Sequence, residues 1–470
     1  MTAPPTRSLR ELPPSLARNP VMTQWLSFVD GRVELRVGKV ELGQGIVTAL
    51  AQMAANELDV EPSRIDVLPV STRYSPDEGR TTGSRSIEDS GEAVRQVCAE
   101  VRALFLAAAA EALALPREDL RIEDGRIVGP GSEATSYWEL AASVSLDRQA
   151  DGGVAPRALG TGVYTGRSVR RVDLDDKVRG AGRFIQNLVL PGMLHGRIVR
   201  PPSPSGRLIG VGAIQLRGAR LVRDGSFLAV LADTEVGAIE AAKRVASAAG
   251  WECTSTLPEQ HDLPAFMRVA PADDEVLSDF SPRGRALAVR GDTHAGGPHR
   301  AQYSRPFIAH ASMGPSCAIA LWEGNALRVW CSTQGVYDLR RELSRALALP
   351  VGRIEVEFLE GSGCYGHNGS DDAAYEAALL ARHAEGRPVR LQWMREEELG
   401  WAPYGPAAVA ELEATLDADG DILTWSHELW SYGSRGRPGY SSIGPAFWAA
   451  SHLAEPFERE AAHLGGAIRN

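Results

Sequence analysis

Apolar residues change their spacing several times along the chain, and each spacing predicts a different element. Val33, Leu35 and Val37 alternate with Glu34 and Arg36, the two-residue period of a strand with one face buried. Just beyond, Ile46, Leu50, Met53, Ala54 and Leu58 fall on one helical face, so a helix is predicted to begin directly after Gly43-Gln44-Gly45. Ile65 and Val67 suggest another strand. Val94, Val97, Val101 and Leu104 make the apolar stripe of a second helix, with Asp89 and Glu92 at capping-box spacing ahead of it. Asp124-Gly125 marks a short hairpin.

The later sequence repeats this mixture. A helix is predicted over Glu235–Ala248, and residues 318–322 and 327–331 flank Glu323-Gly324-Asn325 as a hairpin. Residues 353–359 read as a strand entering a glycine-rich loop, and an alanine-rich helix is predicted over 373–383. Val389, Leu391 and Trp393 form a further strand, and 411–416 with 422–430 a hairpin around Asp419-Gly420. The fold class is therefore α+β, with mixed and largely antiparallel sheets. The divisions expected are an extended leader over 1–20, a segment over 21–157, a unit over 158–252, a linker or embracing loop over 253–300, and a unit over 301–470.

Composition narrows the function. With 44% hydrophobic and 23% charged residues among 470, the chain has enough apolar material for a sizeable core. The net charge of −10 contains no basic block, which argues against a nucleic-acid partner, because phosphate recognition needs clustered Lys and Arg. No apolar run is long enough to span a membrane and the N-terminus shows no signal-peptide pattern, so the expected location is cytoplasmic. Cys98, Cys253, Cys317, Cys331 and Cys364 are scattered without a CxxC pair. That argues against a zinc or iron–sulfur site within the chain and against a disulfide framework.

Two glycine-rich loops are the main candidates for chemistry. Gly43-Gln44-Gly45 lies between a strand and a helix start, where exposed amides and a close backbone approach favour an anion such as a phosphate. Read alone, such a turn is more often a structural one. Gly361-Ser362-Gly363-Cys364-Tyr365-Gly366-His367-Asn368-Gly369 precedes Asp371-Asp372 and a helix; its plain reading is a long turn whose Asp372 caps that helix. Thr82, Gly83 and Ser84 offer a third place for an anion, through hydroxyls and amides. Cys364 as a nucleophile lacks a base at a recognisable spacing, and His310 with Cys317 matches no metal spacing.

Taken together the blocks VELGQG, ALAQMAANELDV and TTGS, then SVRRVDLDDKVRGAGRFIQNLVLPGMLHGRIVRPP, then RPFIAHASMGPSCAIA, VWCSTQGVYDLRRELSRAL and GSGCYGHNGSDDAAYEAALLAR resemble the large, molybdopterin-binding subunit of the xanthine dehydrogenase/aldehyde oxidase family. The order, with VELGQG ahead of the middle block, is similar to the isoquinoline oxidoreductase or nicotinate dehydrogenase type. The resemblance implies an α/β hammerhead domain over 158–252 and parts of the molybdopterin-binding domains around it. It implies molybdopterin, as the cytosine dinucleotide, carrying molybdenum through the pterin's own sulfurs, so no side chain here is expected as a metal ligand. Matched motif by motif, Gly43, Gln44, Gly45, Thr82, Gly83 and Ser84 would hold the pterin or its phosphates. Gln334 would hydrogen-bond an oxygen on the metal, Gly363, Cys364, Tyr365 and Gly366 would lie beside it, and His367 and Asn368 would face substrate.

The family hydroxylates an electron-poor carbon of an N-heteroaromatic or an aldehyde with oxygen drawn from water. A glutamate in a Gly-x-Gly-Glu motif acts as base, and electrons leave through a small subunit carrying a [2Fe-2S] cluster. This sequence contains no Gly-x-Gly-Glu; Glu360 and Glu398 do not match it, and no catalytic residue is assigned. The expectation is that a complementary polypeptide matching the C-terminal part of the large subunit supplies the base. The alternatives are an inactive truncated fragment and a non-catalytic protein that carries the cofactor or serves its maturation.

Overall fold

The computed structural model describes residues 11–131, 134–158, 160–254, 258–272, 297–433 and 447–456. The fold is mixed α+β, with antiparallel strand pairs outnumbering parallel ones among the described residues.

The N-terminal part builds its own core. Strands Leu26–Val29 and Arg32–Leu35 pair antiparallel, and Ile65–Val67 joins the second in parallel. Helices Ile46–Leu58 and Glu92–Leu113 lay their apolar stripes against them. Phe28, Phe105 and Tyr137 meet there with ring centroids 4.7 to 5.1 Å apart, within the range of favourable aromatic packing. The hairpin at Asp124-Gly125 forms with both residues left-handed, at φ 48° and 78°, the backbone a tight two-residue turn requires. Two local expectations are corrected. Asp89 does not cap the second helix: a π-turn over Ile87–Gly91 runs straight into it, and buried Lys39 claims the Asp89 carboxylate at 3.3 Å. The leader is not simply extended, because Pro14–Arg18 forms a helical turn that places Leu16 in the core.

A second core surrounds a seven-stranded sheet ordered Ile354–Phe358, Ala326–Cys331, Cys317–Glu323, Val389–Gln392, Leu194–Ile198, Phe227–Ala232, Ala219–Asp224. Strands from the 158–252 and 301–470 segments thus share one sheet, joined by the parallel pairing of Val389–Gln392 with Leu194–Ile198. Helix Ser370–Ala381 is buried at every position. Its alanine-rich sequence suits that place, since small side chains let a helix lie close to strands on one side and loops on the other. Its first turn starts at Ser370, three residues earlier than the apolar pattern alone predicts. The expected linker over 253–300 contains a helix, Leu263–Val269, that packs on Val409 and Trp430; its residues 255–257 and 273–296 lie outside those described.

A backbone pairing helps to join the two cores and positions the site. Residues 70–72 add to the free edge of Ile354–Phe358: Phe358 N–H donates to Val70 O at 2.8 Å, Thr72 N–H to Val356 O at 2.9 Å, and Val356 N–H to the Thr72 hydroxyl at 2.9 Å. The edge strand is thereby paired on both sides, and the chain beyond residue 75 is delivered to the C-terminal ends of the neighbouring strands. Among the described residues no helix is long and apolar enough to cross a membrane.

Candidate functional site

Four glycine-bearing segments meet at those strand ends. Thr81 and Gln334 exchange hydrogen bonds: the Thr81 N–H donates to Gln334 O at 2.9 Å, and Gln334 Nε2 donates to Thr81 O at 3.1 Å. The Thr81 hydroxyl accepts from Val40 N–H at 2.9 Å, and Val40 O accepts from Gln44 Nε2 at 2.9 Å. On the other side, His367 Nδ1 lies 3.1 Å from Gln334 Oε1. A continuous set of bonds therefore connects residues 40–44, 81, 334 and 367, which are up to 327 positions apart in sequence (367 − 40). Close packing reinforces it, since a Cβ on Gly335 would meet Arg80 Cγ at 2.9 Å. Below, buried Lys39 ties down the 78–80 backbone by donating to Glu78 O and Arg80 O at 2.9 and 3.0 Å.

The two glycine loops differ in what occupies them. At Gly43-Gln44-Gly45 the predicted anion is present, but it belongs to the protein. Buried Glu41 accepts from Gly43 N–H and Gly45 N–H at 2.9 Å each and from Val47 N–H at 3.3 Å. Arg171 then closes the turn by donating to Gly43 O at 2.9 Å, with Glu41 3.5 Å away. Gln44 folds back, its Oε1 accepting from Leu42 N–H. The helix N-terminus attracts negative charge, and here the nearest carboxylate supplies it. Arg171 also holds Asp173, whose carboxyl it keeps well below the usual range.

The Gly361–Gly369 loop is held by packing rather than by an internal ion. Gly366 has φ 135°, and a Cβ there would sit 2.4 Å from His310 Cδ2; one on Gly369 would sit 2.2 Å from the Trp393 ring. Only glycine fits either place. Tyr365 stands in the left-handed region at φ 55° and is 65% exposed. Cys364 is buried, with its thiol directed at Gly366 O at 3.1 Å. His367 and Asn368 are also buried. Asn368 donates to the Ser312 hydroxyl at 3.2 Å and accepts from Ser370 N–H and its hydroxyl at 3.1 and 2.6 Å. Asn368, and not Asp372, makes the side-chain bonds at the start of the helix; this corrects the plain reading of that loop. Asp372 instead accepts from Trp448 N–H at 2.8 Å, and burial pushes its carboxyl up to about 7. Thr82, Gly83 and Ser84 form an exposed turn beside Thr81, with Gly83 and Ser84 both left-handed at φ 65° and 58°.

Sequence reasoning missed Glu41, Arg171 and the ion pairs that brace the far side. Glu360 is held by Lys177 and Arg183 at 2.7 and 2.8 Å, and Ile185 N–H donates to its backbone oxygen. Glu398 accepts from Ser316 N–H at 2.8 Å. Both glutamates therefore serve the loops around them. Glu41 carried a local signal, an acid two and four residues ahead of two glycines; Arg171, 128 positions from Gly43, carried none. Among the described residues no group of three or more His, Cys, Asp or Glu side chains is placed to hold a metal ion.

Comparison with known proteins matches two regions to family profiles described as molybdopterin cofactor-binding domains, over residues 26–178 and 293–468. These contain all four converging segments. The chain is 33% identical to a subunit of nicotinate dehydrogenase from Pseudomonas putida over 429 aligned positions, covering 87% of this chain and 35% of that protein. It is 23% identical to the beta subunit of isoquinoline 1-oxidoreductase from Brevundimonas diminuta over 470 aligned positions, 85% of this chain and 58% of that protein. Quinoline 2-oxidoreductase from Pseudomonas putida 86 superposes with a TM-score of 0.40 at 21% identity, over 56% of this chain and 39% of that one. The chain thus spans about a third to three-fifths of the length of the curated relatives it matches.

Proposed function

The chain belongs to the xanthine dehydrogenase-type family of molybdopterin-binding subunits, and on that premise we propose that it forms part of the cofactor cradle of a molybdenum hydroxylase acting on an N-heteroaromatic or aldehyde carbon. The observation that carries the reading is the set of bonds linking the 40–44, 81, 334 and 367 segments. Loops so far apart in sequence converge where the family's cofactor-binding motifs match.

The residues present fit such a cofactor in part. Its metal supplies the redox chemistry when bound. The exposed hydroxyls and amides of Thr82, Gly83 and Ser84 suit a phosphate of the dinucleotide, which we take to be the cytosine form. The Gln334 amide keeps one N–H beyond its bond to Thr81 O, and His367 fixes its orientation by holding Oε1. Gly363 lies against the Tyr365 ring and Gly366 against His310, so this loop presents to a ligand chiefly the exposed Tyr365 ring. Gly43 and Gly45 do not fit as phosphate donors, because Glu41 holds their amides; Gln44 acts by bracing Val40 beside Thr81. His367 and Asn368 keep the loops in register, leaving the surface around Tyr365 for substrate.

The general base is proposed to come from outside these 470 residues, on a complementary polypeptide with a Gly-x-Gly-Glu motif, and electrons to leave through a [2Fe-2S] subunit. The support is that the sequence has no such motif and that it spans only 35% of the nicotinate dehydrogenase relative. Co-expression of the chain with such a polypeptide, followed by metal analysis and dye-linked oxidation of nicotinate, isoquinoline and benzaldehyde, tests this. Molybdenum and turnover are expected only in the complex. Turnover by the isolated chain refutes the base in trans, and a complex without molybdenum refutes the cradle.

A further inference from the structure

Two hydrogen bonds meet on the Gln334 amide, and together they fix where the protons lie. Its Nε2 stands 3.1 Å from Thr81 O and its Oε1 stands 3.1 Å from His367 Nδ1. A backbone carbonyl oxygen only accepts, so the amide must turn an N–H toward Thr81. The amide oxygen left on the other side also only accepts, so His367 Nδ1 must carry a proton. Turning the amide over would set two carbonyl oxygens against each other. Leaving Nδ1 bare would set its lone pair against those of Oε1. Donation therefore runs one way, from His367 to Gln334 to Thr81.

The surroundings hold all three groups in place. Gly335 fixes the chain beside Gln334, because a Cβ there would meet Arg80 Cγ at 2.9 Å and Asp338 Oδ2 at 3.1 Å. The Thr81 N–H is itself taken by Gln334 O at 2.9 Å. His367 is 3% exposed. It follows Gly366, whose backbone lies against the His310 ring, and precedes Asn368, which is bonded to the Ser312 hydroxyl and to Ser370. A neutral imidazole free in water favours the proton on Nε2; here the partner of Nδ1 selects the other form.

We propose that His367 is a positioning residue whose proton, fixed on Nδ1, decides which edge of Gln334 is turned to the Thr81–Ser84 turn. That edge is the amide nitrogen of a half-buried side chain, and it carries a second N–H besides the one given to Thr81 O. A ligand that reaches Gln334 on that side must bring an acceptor, an oxygen with a free lone pair, and an ammonium or N–H group is refused there. His367 acts through Gln334 rather than on the ligand. The ligand's character rests on the cradle proposed above, whereas the proton's place does not.

The test uses the full chain without cofactor, with 15N in its histidine rings and glutamine side chains. The His367 resonances are assigned by their loss in His367→Asn, and those of the Gln334 amide by their loss in Gln334→Ala. At pH 8 a protonated Nδ1 is expected; an unprotonated Nδ1, or averaging between two forms, overturns the proposal. Two variants then separate positioning from packing. The asparagine amide nitrogen can stand where Nδ1 was, while the glutamine one reaches only toward the place of Nε2. His367→Asn should therefore keep hydrogen exchange of the Gln334 side chain within about twofold of the parent, and His367→Gln should speed it about fivefold to tenfold, as loss of one hydrogen bond implies. Equal exchange in the two variants overturns the positioning role, and the parent spectrum decides the proton even where a variant does not fold. Molybdenum is read separately on the complex. Its absence there, with the proton on Nδ1, removes only the function argued above; its presence, with Nδ1 bare, removes only this inference.

Discussion

The turn at 43–45 and the loop at 361–369 look alike as sequence and differ as structures. Both are glycine-rich and both run into a helix. In the first, positive φ at Gly43 and Gly45 exposes amides that Glu41 captures and Arg171 seals. In the second, glycine is required because His310 and Trp393 press on the backbone, and Tyr365 is left facing outward. One turn is closed by electrostatics and the other is shaped by packing. A glycine pattern reports that the backbone must bend or come close to something; it does not report what that something is.

The largest effect that sharpens this contrast is expected from Gly366→Ala. The new Cβ would collide with the His310 ring at a backbone angle that L residues avoid, so the loss should be about 3 kcal/mol in a urea titration. Gly43→Ala meets no atom within 4 Å and should lose only about 1 kcal/mol, from its positive φ. Equal losses would mean that packing does not separate the two loops.

Next, Glu41→Gln should cost about 2 kcal/mol, because two short amide bonds lose their charged acceptor. Inorganic pyrophosphate should raise the melting temperature of this variant more than that of the parent, because a neutral amide is displaced from the turn more readily than a carboxylate. No differential effect would show that the turn does not select an anion at all.

A smaller change is expected from Gln334→Ala. It removes the side-chain bond to Thr81 O and the contact with His367 but leaves the Thr81 N–H bond intact, so stability should fall by about 1 kcal/mol. Molybdenum recovered with the complex should fall much further, at least tenfold; a loss in proportion to stability would make Gln334 a purely structural link.

The smallest effect concerns pH, and only beside the packed loop. Burial raises the Asp372 carboxyl to about 7 from an ordinary value of 3.8. The folded state therefore prefers the protonated form. Its contribution is complete below about pH 4 and is lost as pH rises through about 7. In Asp372→Asn the amide oxygen can still accept from Trp448 N–H, so the melting temperature of the variant relative to the parent should rise by a few degrees between about pH 5 and pH 8. A constant difference across that range would show that Asp372 does not titrate there.

Much of the secondary structure was legible because its determinants are local. Helices over 46–58 and 235–248 and the hairpins at 124–125, 323–326 and 417–421 follow from apolar period and turn residues alone. Asp89 misled because its spacing resembles a cap while a buried lysine fifty positions away claims it. The docking of 70–72 on Ile354–Phe358 had no local sign either, since an edge strand's need for a partner does not name the partner.

By itself the sequence determined the α+β class, the order of the elements and the motifs that place the chain in its family. Each of these depends on a residue's near neighbours or on a string of identities. Tertiary structure alone decided that the amides of Gly43 and Gly45 are already satisfied, that Gln334 grips Thr81, and that strands of the 158–252 and 301–470 segments share one sheet. Those outcomes turn on which charge or surface arrives from more than a hundred residues away, and hydrogen bonding and burial act through space without regard to distance along the chain.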